Sequence, residues 1–142
     1  MAALSDLADR IQREGKATCT FNCARPVSVA DNLTATHLYL IAQEAVRNAV
    51  NHAQPRSIRI SLKSNHLLLL SVQDDGIGMP AQPTESPGGL GLRIMQNRAA
   101  IIGAVLTIQP AQPTGTLITC ALGRKNHETE PNQETSQDPD RR

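Results

Sequence analysis

Tryptophan is absent, and Phe21 and Tyr39 are the only aromatic side chains in 142 residues. A core made by this chain must therefore be aliphatic, built from Leu, Ile, Val and Ala. An excess of one charge is missing too: the formal net charge is +1, with no long run of Lys or Arg. That balance argues against nucleic acid as a partner, because the electrostatic footprint of a duplex binder is absent. No apolar run is long enough to span a bilayer. The first thirteen residues carry Asp6, Asp9, Arg10 and Arg13 where a signal peptide would be unbroken and apolar. Cysteine is scarce: Cys19, Cys23 and Cys120 have neither metal-ligand nor redox spacing. They read as small buried hydrophobes in a reducing, cytoplasmic setting, with no membrane contact expected from this segment.

What is present suits one domain with a single core. Leu4, Leu7, Ala8 and Ile11 recur at helical spacing, and Gly15 follows as a stop, so the opening segment is expected to be a short amphipathic helix covering the core. Residues 17–23 read as a strand ended by Arg25-Pro26, and residues 34–53 give the longest helical signal. Ile58, Ile60 and Leu62 alternate with Arg59, Ser61 and Lys63, and a Ser64-Asn65-His66 turn leads into Leu67 to Gln73, a β-hairpin. The stretch from Asp74 to Gly89 contains four glycines and three prolines, which predicts a functional loop without regular structure. A helix over 92–102 stopped by Gly103 and a second hairpin, 104–109 with 116–122, complete the order. This order predicts an α/β (α+β) two-layer sandwich, a mixed and mostly antiparallel sheet with helices on one face. The domain is expected to occupy residues 1–122. The polar stretch 123–142 is expected to be a disordered tail.

Three stretches carry chemistry. At 100° per residue, Leu38, Ala42, Ala45, Val46, Ala49 and Ala53 share one side of the long helix, and Glu44, Asn48, Asn51 and His52 share the other. A solvated helix face would also be polar. It usually carries complementary Lys, Glu and Arg pairs, whereas one carboxylate, two amides and an imidazole suit a metal, a phosphate or a proton transfer. Asp74-Asp75-Gly76-Ile77-Gly78 follows a Leu-rich strand, and reads either as a plain turn or as a carboxylate at a strand end beside glycines that let a flat ligand approach. Gly88-Gly89-Leu90-Gly91-Leu92 opens a helix, and is either a hinge or a phosphate site made of free N–H groups at a helix start. Neither a Walker loop nor a G-x-G-x-x-G between an early strand and a helix is present.

Together these stretches resemble a known family. Residues 38–53, with Gln43-Glu44-Ala45, Asn48-Ala49 and His52-Ala53, are similar to the N box of the histidine kinase, gyrase, Hsp90 and MutL ATPase superfamily. The form of that box resembles sensor kinases paired with response regulators that carry a helix-turn-helix output domain. Asp74-Asp75-Gly76-Ile77-Gly78 resembles the D-x-G-x-G box, Gly89-Leu90-Gly91-Leu92 the second glycine box, and Gly115-Thr116 the closing G-T element, all in the family's order. The resemblance implies a Bergerat-type fold that binds ATP and Mg²⁺. It places Asp74 on the adenine amino group, with Gly76 and Gly78 admitting the base and Asn48 on the Mg²⁺. Glu44, one helical turn before Asn48, becomes the general base for an incoming phosphoacceptor histidine. Asn51 and His52 lie toward the phosphates; Asn51 stands where many relatives have Lys or Arg, which leaves it a hydrogen-bonding role. Gly89, Gly91, Leu92 and Thr116 complete the implied nucleotide site, and closure over the phosphates would exclude water. Arg93 and Arg98 are left out of it as surface charges.

The resemblance also implies a partner that the chain lacks. Its four histidines, His37, His52, His66 and His127, fall in the long helix, the N box, a hairpin turn and the tail, none suited to accept phosphate. The expected acceptor is a histidine on a helix pair, in the same parent protein or in trans, with a response regulator downstream and any membrane anchor elsewhere in the parent. The alternative is an ATP-dependent partner-binding module like the anti-sigma-factor serine kinases of the superfamily. A gyrase- or MutL-type fragment would be followed by a transducer domain, where this sequence has a polar stretch.

Overall fold

The computed structural model describes residues 1–29, 31–78 and 88–123. In chain order these form α1 (Ala2–Arg13), β1 (Thr18–Asn22), α2 (Asn32–Asn48), β2 (Ser57–Ser64), β3 (Leu67–Asp74), α3 (Gly88–Ile101), β4 (Val105–Pro110) and β5 (Thr116–Gly123). The five strands make one sheet in the order β1-β2-β3-β5-β4. β1 runs parallel to β2, with Thr18 opposite Ser57, because α2 returns the chain as a crossover. The other neighbours are antiparallel. The expected sandwich is what forms.

Strand alternation decides which face is covered. Ile58, Ile60 and Leu62 of β2, Leu68, Leu70 and Val72 of β3, and Ile118 and Cys120 of β5 are buried. They meet Leu4, Leu7 and Ala8 of α1, five apolar residues of α2 and Ala49 just after it, and Met95 and Ala99 of α3 in one cluster. The other face keeps its polar side chains and hydrogen-bonded hydroxyl rungs, Ser61 with Ser71 at 2.5 Å and Thr107 with Thr119. All six residues placed on the packing side of the long helix are buried, and Ala42 is fully so. Small side chains there let the helix lie close to the sheet.

The long helix differs from the continuous 34–53 expected. It starts at Asn32, where Asp31 caps it by accepting the Thr34 backbone N–H at 2.7 Å and the Thr34 hydroxyl at 2.9 Å. Its α-helical part ends at Asn48, and Ala49–Ala53 form a single widened π-turn closed by Gln54 in the left-handed region, φ 48°. The glycine-rich stretch also departs from expectation: Gly88, Gly89 and Gly91 are in the first turn of α3, four residues earlier than residue 92. Gly103 stops α3, at φ 69°, while the Ala104 N–H reaches back to the Ala99 carbonyl at 2.8 Å. β5 runs to Gly123, one residue past the expected boundary. The expected tail, apart from Gly123, and residues 79–87 of the expected loop lie outside the described residues.

Candidate functional site

Two clusters carry the residues singled out above, and α2 belongs to both. In the first, Glu44 and Asn48 stand one turn apart on α2 with the first turn of α3 resting on them. A Cβ on Gly91 would lie 2.5 Å from Glu44 Oε1, 3.2 Å from Asn48 Oδ1 and 3.1 Å from Asn48 Nδ2. Gly91 is thus the bare contact that lets the α3 backbone settle on a carboxylate and an amide. The polar stripe is thereby divided. Glu44 and Asn48 are half-buried, the Glu44 side chain only 18% exposed, whereas Asn51 and His52 are exposed on the π-turn. On its far side Glu44 meets Arg47, Nη1 to Oε2 3.9 Å, a loose pair at a mostly exposed guanidinium.

The second cluster forms where β3 ends. Strand alternation sends Asp74 inward and Asp75 outward. Asp74 is 6% exposed and accepts the backbone N–H groups of Gly76, at 2.8 Å, and Thr116. Burial pushes its carboxyl above the usual carboxylate value, and those two hydrogen bonds pull the other way. Asp75 behaves oppositely: it accepts from the backbone N–H groups of Arg56 and Ser57, each at 2.8 Å, and from the Ser57 hydroxyl at 3.1 Å, which hold its carboxyl below the usual value. Two of the acceptor positions of an ionised Asp74 are used, which leaves capacity for one more donor.

Close backbone approaches join the clusters. A Cβ on Gly76 would sit 2.2 Å from the Ala53 carbonyl oxygen, and the Ile77 N–H donates to that same oxygen at 2.9 Å. The widened end of α2 is therefore fastened to the bend after Asp74. Gly115, at φ 103°, lies so near β3 that a Cβ would be 2.0 Å from the Asp74 carbonyl oxygen, and its own carbonyl is 3.4 Å from where a Gly78 Cβ would stand. Thr116 follows, buried. Thr114 Oγ1 donates to the Asp75 carbonyl at 3.3 Å.

Asp74, Gly76, Gly78 and Thr116 come together, and so do Glu44, Asn48 and Gly91. Among the described residues Gly89 meets no neighbour within 4 Å of a Cβ, and the Leu92 side chain packs against the core, whereas Gly91 rests on the polar pair. His37 is in α2 with Nδ1 buried and without a partner among the described residues. His66 is in the β2–β3 turn, and His127 lies outside the described residues. Sequence reasoning missed the Ala53 carbonyl and Arg47. A backbone oxygen has no signal in a residue's identity, and Arg47 reads as any exposed cation. No group of three or more His, Cys, Asp or Glu is gathered to hold a metal among the described residues.

A mixed sheet covered on one face by helices, with a buried carboxylate ending its central strand, is the architecture of a Bergerat-type ATP-binding domain. The chain belongs to the histidine kinase-, DNA gyrase B- and HSP90-like ATPase family, whose model matches residues 34–126. It is 34% identical over 125 residues to the nitrate/nitrite sensor protein NarQ of Escherichia coli, covering 85% of this chain and 22% of that protein. It therefore spans about a fifth of the length of that relative. Among solved structures, the ATP-binding domain of PrrB from Mycobacterium tuberculosis superposes with a TM-score of 0.69 at 19% identity, over 86% of this chain and 91% of that one. The blue-light activated histidine kinase EL346 of Erythrobacter litoralis does so with a TM-score of 0.65 at 26% identity, over 86% and 41%. The first of these speaks to the fold alone. No described helix is long and apolar enough to cross a membrane.

Proposed function

We propose that this chain is the catalytic domain of a two-component sensor histidine kinase, transferring the γ-phosphoryl group of ATP to a histidine outside the chain. The observation that carries the reading is the seating of Gly91 on Glu44 and Asn48, which puts a carboxylate and an amide oxygen beneath the glycine-rich start of a helix. Asp74 is the proposed acceptor for the adenine amino group, with Gly76, Gly78 and Thr116 shaping the slot around it. Asn48 is the proposed protein ligand of Mg²⁺; with no acidic cluster among the described residues, phosphate oxygens and water would complete the coordination. When bound, the ion neutralises charge on the phosphates. Gly89, Gly91 and the backbone at Leu92 face the phosphates in this reading, as do the exposed Asn51 and His52. Glu44 orients the acceptor imidazole or takes its proton as the ring nitrogen attacks the γ-phosphorus and ADP leaves. The downstream partner is a response regulator, and the domain works in the cytoplasm.

Calorimetric titration of the domain with ATP, with and without Mg²⁺, tests this, alongside transfer of labelled phosphate to a separately made phosphoacceptor helix pair. Asp74→Asn should abolish nucleotide binding; Glu44→Gln should keep it and lose transfer. Binding that ignores Mg²⁺, or that survives Asp74→Asn, refutes the assignment.

A further inference from the structure

Asp75 stands between Asp74 and Gly76 of the proposed base slot, yet the reading above gives it no part in holding the nucleotide. It is exposed, and still every polar group it has is engaged. Its N–H donates to the Ser57 carbonyl at 3.3 Å, and its carbonyl accepts from Thr114 Oγ1 at 3.3 Å. Oδ1 accepts the N–H groups of Arg56 and Ser57, each at 2.8 Å, and Oδ2 accepts the Ser57 hydroxyl at 3.1 Å. We propose that Asp75 is a positioning residue for ATP: it clamps the link between α2 and β2, and so sets the span between the base slot and the phosphate end of α2. The inference rests on the kinase reading above and adds to it the residue that fixes the two halves of the site at one nucleotide's length.

The link is short. Gln54, Pro55 and Arg56 join the π-turn to β2, with Gln54 in the left-handed region at φ 48° and Pro55 buried. A residue other than glycine stays in that region only where its surroundings hold it there. The near end of the link is fixed where the Ile77 N–H donates to the Ala53 carbonyl at 2.9 Å, with Gly76 packed bare against the same carbonyl. The far end is fixed by Asp75. Arg56 is tied once more, its carbonyl accepting the Thr18 N–H of β1 at 2.9 Å. The bend that carries Asp74 and the turn that carries Asn51 and His52 are thereby braced against each other at both ends of the link. A carboxylate kept for solubility would face water, whereas this one is turned onto backbone donors. They, the Ser57 N–H foremost, hold its carboxyl below the usual value, so it is the ionised form that grips.

The test compares a ligand that fills one half of the site with one that fills both. Affinities of the full chain for adenosine and for Mg²⁺-ATP are measured by NMR titration and calorimetry for wild type, Asp75→Ala, Asp75→Asn and Ser57→Ala. Melting curves and phosphotransfer to a separately made helix pair are recorded in parallel. Asp75→Ala should bind adenosine within about twofold of wild type, while its gain in affinity from adenosine to Mg²⁺-ATP shrinks about tenfold. Its kcat for transfer should fall at least about tenfold, with the KM for the helix pair unmoved. Asp75→Asn keeps an amide oxygen for both N–H groups, and should bring the gain back to within about threefold of wild type. A loss of stability alone would lower both affinities together, so their ratio separates positioning from folding. Equal losses for the two ligands, or an unmoved ratio in Asp75→Ala, overturns the clamp and leaves the kinase reading standing. Should Asp75→Ala not fold, Ser57→Ala decides: a ratio reduced about threefold supports the clamp, and an unmoved ratio overturns it. A wild type that binds neither adenosine nor Mg²⁺-ATP overturns both.

Discussion

Replacing Gly91 by alanine should leave the fold intact and disable the chemistry. The new Cβ would stand 2.5 Å from Glu44 Oε1, against an ordinary carbon–oxygen contact about 1 Å longer. Asn48 is nearly as close, at 3.1 and 3.2 Å, and must yield by a few tenths of an ångström. What is struck is the end of a flexible side chain, so Glu44 swings away, and the nearest relief is toward Arg47, 3.9 Å off. The strain is offset by the gain of alanine over glycine in a helix, up to about 1 kcal/mol and less in a first turn. Net stability should change by less than about 1 kcal/mol. A catalytic group displaced by about 1 Å, however, loses on the order of 100-fold in rate. Gly89→Ala is the comparison, since nothing lies within 4 Å of its Cβ: it should gain about 0.5 kcal/mol and melt a few degrees higher. Any ATP affinity it loses would come from the nucleotide's approach, because the described residues leave room for the methyl. Thermal melts and phosphotransfer to a helix pair read both effects. Full transfer by a well-folded Gly91→Ala would refute the seating of α3 on Glu44, and a drop in its melting point of more than about 8 °C would refute the claim that the side chain yields cheaply.

Gly115→Ala should be far more damaging, because its Cβ would meet the backbone oxygen of Asp74 at 2.0 Å from a φ of 103°; at least about 2–3 kcal/mol should be lost in urea unfolding, and a loss under about 0.5 kcal/mol would contradict the contact. The two neighbouring carboxylates should respond to pH in opposite senses. Asp75, held below its usual 3.8, contributes stability that is present above that value and lost as pH falls through its folded pKa, so Asp75→Asn should flatten the acid limb of urea midpoints between about pH 3 and 7. Asp74, raised by burial, favours the fold when protonated, and its contribution fades as pH rises through its folded pKa; parallel midpoint curves for wild type and Asp75→Asn would show that Asp75 is not held as described. Burial pushes the Cys19 and Cys120 thiols up to about 11, so near-neutral alkylation of the native domain should label Cys23 alone, and modification of three thiols before unfolding would disprove the packing.

The sequence made the fold legible wherever periodicity was strong. The alternation of Ile58, Ile60 and Leu62, and the small-residue side of α2 from Leu38 to Ala53, each predicted the buried face. Spacing could not show that the stripe opposite would be split between a covered half, Glu44 and Asn48, and an open half, Asn51 and His52. That split depends on where α3 lands and on a π-turn, and a π-turn shifts the helical phase without any change in residue type. The glycines of the second box were expected ahead of the helix, because glycine is a poor helix former. They lie inside it because Gly91 has to approach α2 without a side chain, a tertiary requirement that overrides local preference. Asp74 and Asp75 look alike in the sequence, and only strand alternation and the neighbouring N–H groups separate their roles.

The parallel pairing of β1 with β2 bears on where such a domain can be cut. Thr18 to Asn22 shield one side of β2, and the segment that supplies them lies ahead of residue 34, where the family match begins. A protein trimmed to the matched region would turn β2 into an edge strand, newly bared along Ser57–Ser61 with Ile58 and Ile60, as a template for other chains. It would also uncover the apolar residues that α1 now shelters. In expression work, the motif-defined ATPase should precipitate or pair with itself, and a version starting at α1 should stay monodisperse.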